Sequence, residues 1–143
     1  MVVVQVEQMM GAGIILMAFD GKIPMILGLI GDSDHRQRHS AIYDLPKGTE
    51  DPYESAINCA LRETFEETGF EILESELIAG PFVESFLTMW LAVIPISTPI
   101  TIGKNPVSGK FEHDEYHWLD KQQALQDVYP YLVPFVQWAF QNV

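Results

Sequence analysis

The chain has 143 residues, the length of one ordinary domain with a single core. Eight Lys and Arg against twenty Asp and Glu leave a formal charge of −12, which repels nucleic acids and anionic membranes and excludes a general nucleic-acid coat protein. Apolar residues make up 48% and charged residues 20%, the balance of a folded domain and not of a disordered one.

Met1 to Met10 lacks a basic flank and carries Glu7 within its apolar run, so it makes a poor secretory signal. Gly11 to Phe19 and Met25 to Ile30 are short apolar runs separated by Asp20-Gly21-Lys22, the pattern of a hairpin of buried strands. Gly31 to Ser40 is polar and holds Arg36, Arg38, His35 and His39, so it reads as an exposed basic loop. From Asp51 to Thr68 the periodicity is helical. Asp51 is placed to cap, Pro52 suits the first turn, and Ile57, Ala60, Leu61, Thr64 and Phe65 recur at three and four residues. Gly69 sits where a left-handed C-cap belongs.

Phe70 to Ile78, Phe82 to Phe86 and Met89 to Ile96 read as strands, the last two as one bent ribbon. Thr98 to Lys110 is a Pro/Gly-bearing loop. Asp120 can cap a short helix through Val128, and Pro130 opens a final helix with an apolar stripe of Leu132, Phe135, Val136, Ala139 and Phe140. Strands, helix, strands, helices in that order predict an α/β (α+β) fold, a mixed sheet with helices on its faces. The longest apolar run, Phe86 to Ile94, ends at Pro95 and is far short of the roughly 20 residues of a membrane span. Cys59 is the single cysteine, so no internal disulfide forms, and no Cys/His spacing suits zinc. A soluble cytoplasmic protein is expected.

The informative stretch is Gly48 to Phe70, GTEDPYESAINCALRETFEETGF. At 100° per residue, Glu63, Glu66 and Glu67 lie within about 100° of one another, opposite Leu61 and Thr64. Like charges at these spacings cost a few tenths of a kcal/mol per pair, and anions near a helix C-terminus oppose its dipole. A solvated helix face is the plain reading. A hard divalent cation, Mg²⁺ or Mn²⁺, held by clustered oxygens and reaching to phosphates, is the functional one.

Written out, the segment is Gly48, five residues, Glu54, seven residues, Arg62-Glu63-Thr64, one residue, Glu66-Glu67, one residue, Gly69-Phe70. This resembles the Nudix box, the signature of hydrolases that cleave a nucleoside diphosphate linked to another moiety, with every polar and glycine position filled. Thr64 departs from it, standing where an aliphatic residue is usual; its hydroxyl can bond back to the preceding turn. Leu45-Pro46-Lys47-Gly48 looks like the strand-to-loop segment of members acting on dinucleoside polyphosphates or RNA 5′-triphosphate ends. Glu112 to Leu119, EHDEYHWL, resembles the segment in which a loop acid precedes an aromatic strand. The resemblance implies the Nudix α/β/α sandwich, with a mixed β-sheet between helices, as one domain over residues 1–143.

By the same resemblance, Glu66 and Glu67 are the principal metal ligands and Glu63 is a ligand or the base that orients water. Glu112 is the fourth acid, with Glu115 as its substitute, and the Gly48 carbonyl is a further ligand. Arg62 braces the glutamates, including Glu54, through charged hydrogen bonds. Lys47 can contact a phosphate as a point charge, with Arg36 and Arg38 as second contacts. His39, His113 and His117 read as surface or strand residues, and Cys59 as a packing residue. Tyr116, Trp118, Phe82 and Phe86 can stack on a base or fill the core, and Tyr43, Tyr129 and Tyr131 carry no distinguishing signal.

The implied activity is Mg²⁺- or Mn²⁺-dependent attack of water on a nucleoside polyphosphate, with dinucleoside polyphosphates favoured. RNA 5′-pyrophosphohydrolase, nucleoside triphosphate and diphosphoinositol polyphosphate activities are the alternatives. The expected partner is a small nucleotide; long nucleic acid and membranes are not expected, and the chain is a monomer or homodimer. A nucleotide-sensing domain without turnover would be expected to lack one of the acids, and none is missing.

Overall fold

In the computed structural model, which describes residues 10–31 and 42–143, β1 (Gly11–Asp20) and β2 (Ile23–Gly31) form the expected hairpin, turning through Gly21 at φ 62°. The two strands pair over Met17–Asp20 and Ile23–Ile26 and then part. The segment 43–49 fills the opening. Here β3 (Tyr43–Asp44) pairs with Leu29 and Ile30 of β2, and β4 (Lys47–Thr49) pairs with Gly11, Ala12 and Gly13 of β1. Gly13 permits this approach, because a Cβ there would run into the Pro46 carbonyl and the Lys47 backbone.

The other edge of β1 carries β6 (Leu87–Val93) in parallel, and the other edge of β2 carries β7 (His113–Leu119) antiparallel. With β5 (Leu77–Glu84) antiparallel to β6, the seven strands make one mixed sheet. Helix α1 (Ala56–Thr68) covers one face, packing Cys59 and Ala60 among Ala12, Ile14 and Leu16. Helices α2 (Lys121–Asp127) and α3 (Val133–Gln141) cover the other, over Ile15 and Met17. Buried on both faces, β1 reads as a continuous apolar run. This is the expected sandwich, and no described helix is long and apolar enough to cross a membrane.

Local caps agree at several points. Gly69 takes φ 68° and donates to the Phe65 carbonyl, Asp120 accepts the Gln123 amide at 2.8 Å, and the stripe Leu132, Phe135, Val136, Ala139 and Phe140 is buried. Pro130 opens a 3-10 turn, Pro130–Leu132, that runs into α3.

Other boundaries differ. Helix α1 begins at Ala56, where the Ser55 hydroxyl accepts the Asn58 amide at 3.2 Å, and not at Asp51-Pro52. Glu54 is drawn to Arg62 and to the Asp51 amide, and Tyr53 at φ 66° cannot extend a right-handed helix. Residues 70–73 form no strand; a 3-10 turn at Glu74–Glu76 follows, and β5 starts at Leu77. The two later strands form a hairpin through Ser85-Phe86 and not one ribbon, with Ser85 at φ 53° in a turn that carries no glycine signal.

Thr64 is fully buried and its hydroxyl has no hydrogen-bond partner, contrary to the expected back-bond. Thr68 makes that kind of bond instead, donating to the Thr64 carbonyl at 2.6 Å. A buried unmet hydroxyl costs about 1–3 kcal/mol, so Thr64→Val, which keeps the shape, is expected to stabilise the fold by about 1 kcal/mol. The reading is a higher urea midpoint at unchanged slope; a lower midpoint would mean that the hydroxyl is satisfied.

Candidate active site

Helix α1 turns its acidic face toward the β3–β4 segment. Glu67 is 6% exposed, and its Oε2 accepts the backbone N–H of Lys47 at 2.9 Å. Burial pushes its carboxyl well above the usual carboxylate range; the charges of Asp44 and Glu63 add to this, and Lys47 opposes it. Glu63 stands against Gly48, where a Cβ would fall on its carboxylate, so only glycine allows this approach. Burial also raises Glu63, against the pull of Arg62 and with the push of Glu66 and Glu112. The Gly48 carbonyl lies 3.5 Å from the Cys59 sulfur, whose thiol burial and the charge of Glu54 push up to about 12. Cys59 is therefore an unreactive packing residue.

Arg62 ties the acidic residues together. It makes a two-point contact with Glu54 at 2.8 and 2.9 Å, and it donates to Glu63 at 3.0 Å, to Glu66 at 3.3 Å and to the Thr49 carbonyl at 3.1 Å. The hydrogen bonds from Arg62 hold Glu54 below the usual range. The bracing expected of Arg62 is thus present as geometry.

A second buried set adjoins the first. Asp44 accepts the Leu45 amide at 2.8 Å, lies 3.1 Å from the Lys47 ammonium and lies 3.4 Å from His113 Nε2. Burial would raise Asp44, but Lys47 and His113 outweigh it and hold it low. Burial likewise would lower Lys47, but Asp44 and Tyr131 outweigh it and raise it. His113 is 6% exposed, with a ring nitrogen within 4.8 Å of carboxylate oxygens of both Glu67 and Glu112.

Glu63, Glu66, Glu67 and Glu112 line one cavity of about 350 Å³, together with Asp44, Lys47, Gly48 and Asn105. A neighbouring cleft of about 490 Å³ is lined by Phe86, Leu87, Pro130, Tyr131 and Pro134, and shares Lys47, Gly48 and Thr49 with the cavity. The Lys47 ammonium lies 5.5 Å from the Tyr131 ring centre.

Five of the expected residues therefore converge with Gly48 and Lys47: Arg62, Glu63, Glu66, Glu67 and Glu112. Glu115 does not, since it lies along β7 and faces His117 at 3.4 Å, while Tyr116 and Trp118 pack against the α1-side core. Phe82 stacks on Trp138 with ring centres 5.2 Å apart and is core. Arg36, Arg38 and His39 lie outside the described residues. Asp44, Asn105 and the placement of Tyr131 had no local signal. Their spacing follows no helix or strand period, and an Asp before Leu-Pro is an ordinary turn residue.

A model of the NUDIX domain matches residues 7–139. No curated protein matches the chain. Among solved structures, a C. elegans Ap4A hydrolase binary complex is similar at TM-score 0.69 and 20% identity, over 94% of this chain and 96% of that one. The E. coli dihydroneopterin triphosphate pyrophosphohydrolase is similar at TM-score 0.66 and 17% identity, over 92% and 95%. The NUDIX domain of Shewanella oneidensis NrtR, complexed with ADP ribose, is similar at TM-score 0.62 and 15% identity, over 96% and 89%. Those likenesses concern the fold, whereas the domain match runs over nearly the whole chain and includes the complete acidic box: the chain belongs to the Nudix hydrolase family.

Proposed function

We propose that residues 1–143 form one domain that hydrolyses a phosphoanhydride of a nucleoside polyphosphate, a dinucleoside polyphosphate above others. The observation that carries this reading is the wall of Lys47, Gly48 and Thr49 shared by the carboxylate cavity and the aromatic cleft. A base among Phe86, Pro130 and Tyr131 would send its phosphates over that wall toward the glutamates. The overall charge of −12 disfavours following a long RNA, though a short 5′ end has room.

The donor set suits Mg²⁺ or Mn²⁺. The cavity offers carboxylates from Glu63, Glu66, Glu67 and Glu112 and the Gly48 carbonyl, and the raised pKa values of Glu63 and Glu67 mark negative charge that their surroundings under-compensate. A bound cation supplies charge neutralisation at phosphate and acidifies water. The chain's own groups do the rest. Glu66 and Glu67 provide ligands, Glu63 or Glu112 receives the proton of the attacking water, and Arg62 keeps the carboxylates apart in fixed orientations. Lys47 offers its charge to a phosphate, with Asp44 holding the ammonium at the cavity edge. Water adds to phosphorus, the bridging P–O bond breaks, and the released proton leaves through the base.

The test is hydrolysis of diadenosine polyphosphates, nucleoside triphosphates, ADP-ribose, nucleotide sugars and 5′-triphosphorylated RNA with Mg²⁺ or Mn²⁺, products identified by mass. One substrate is expected to lead by about a hundredfold in kcat/KM. No turnover by a folded, metal-binding protein would favour a sensing domain. Stacking on an aromatic ring is worth about 1–3 kcal/mol per base, so Phe86→Ala is expected to lower kcat/KM for the leading substrate about 5- to 150-fold, mainly through KM. Unchanged kcat/KM would put the base elsewhere.

A further inference from the structure

Between α1 and β7 the chain crosses the cavity as a strap, residues 101–112. Its first half is tied to the end of α1: the Thr101 amide donates to the Thr68 carbonyl at 2.8 Å and the Gly103 amide to the Glu67 carbonyl at 3.4 Å. Its second half folds around Asn105. The Asn105 backbone donates to the Lys110 carbonyl and accepts the Gly109 amide, both at 2.8 Å. The side-chain Oδ1 accepts the Val107 and Ser108 amides at 2.9 and 3.1 Å. These contacts fix which end of the amide is which, and they leave Nδ2 pointed at Glu112, to whose Oε1 it donates at 2.6 Å.

We propose that Asn105 is a positioning residue that holds the Glu112 carboxylate at the edge of the glutamate cavity. Apart from this bond Glu112 is an exposed, long side chain that shares a small pocket with Glu63, Glu66, Glu67 and Lys104 and lies near His113; the three like charges and its own rotamer freedom favour its turning away into water. A neutral amide donor restrains one carboxylate oxygen without neutralising the group, so the second oxygen keeps its full charge for the cavity. A lysine there would form an ion pair competing with any cation, and an aspartate would repel. The inference rests on the hydrolase reading above, in which Glu112 serves the cavity.

The decisive variant is Asn105→Asp, which keeps an acceptor for the Val107 and Ser108 amides but sets an oxygen against Glu112. Mn²⁺ affinity without substrate, measured by calorimetry, and turnover are each expected to fall about 10- to 100-fold. In a Glu112→Gln background the same change should add less than about twofold. There the carboxylate that Asn105 holds for the cavity is already gone, and the amide introduced at position 112 can turn to donate to the carboxylate introduced at position 105. Equal losses in both backgrounds, or no loss in either measurement, would overturn the positioning role. An impaired Glu112→Gln beside an unimpaired Asn105→Asp overturns it while leaving the cavity as drawn. A Glu112→Gln protein with full metal affinity and turnover removes Glu112 from the site, and Asn105 with it.

Discussion

Glu67→Gln is expected to lower turnover by about 10²- to 10⁴-fold while making the metal-free protein more stable at neutral pH. Glutamine keeps an acceptor for the Lys47 amide and removes a buried charge. Because burial raises the folded-state pKa of Glu67 above its unfolded value, the native state binds this proton more tightly than the unfolded chain does. Its unfavourable contribution is absent below the ordinary carboxylate range, grows as pH rises from there to the raised value, and is complete above it. Glu63 acts in the same sense. Asp44 and Glu54, held low by their cationic neighbours, act oppositely: their stabilisation is lost as pH falls through the ordinary range toward their lowered values. Melting curves of both metal-free proteins from about pH 4 to 8 should therefore separate as pH rises, with Glu67→Gln the more stable. Added Mn²⁺ should raise Tm more in the wild type. Near-normal turnover of the variant at saturating Mg²⁺ would remove Glu67 from the site.

Arg62→Met is expected to destabilise the fold by about 1–3 kcal/mol and to lower turnover about 10- to 100-fold. The guanidinium contacts Glu54, Glu63 and Glu66 at once, and methionine leaves all three without it. Arg62 is partly exposed, so solvent screening holds the stability loss below that of a fully buried pair. Arg62→Lys should rescue poorly, since a single ammonium cannot reproduce the two-point contact with Glu54 while reaching Glu66. Urea unfolding of both variants, alongside kcat and KM, checks this; wild-type stability in Arg62→Met would show that the carboxylates need no bracing.

Features encoded within a few residues were the legible ones. The acidic face of α1, the left-handed cap at Gly69, the cap at Asp120 and the stripe of α3 each rest on local spacing, which the fold preserves. The Ser85 turn has no glycine to announce its positive φ, and the start of α1 is shifted because Glu54 answers to Arg62, eight residues away, and not to its own helix propensity. Within the site, His113 looked like a strand bystander because its neighbour Asp44 is 69 positions distant. Glu115 stands second to Glu112 in the sequence, and β7 lays it beside His117 on the sheet, away from the cavity. Asn105 could not be singled out among loop residues, since its role exists only once the strap has folded back.

The parting of β1 and β2 gives the cavity two unlike walls. Lys47–Thr49 belong to the central sheet, bonded to a strand whose opposite edge is filled by β6, so moving them would break main-chain pairs in the middle of the core. The facing wall, residues 101–112, is held at its ends to α1 and β7 and internally around Asn105, by the bridge between Lys104 and Phe111 and by the Lys110 amide on the Ser108 hydroxyl. Under the proposed function, phosphate chains of different length would meet a floor built into the sheet and a roof built from a loop. Changes in reach over evolution are therefore cheapest as insertions or deletions in the strap, where added residues cost only loop entropy, about 0.6 kcal/mol per doubling of length, and leave the sheet in register.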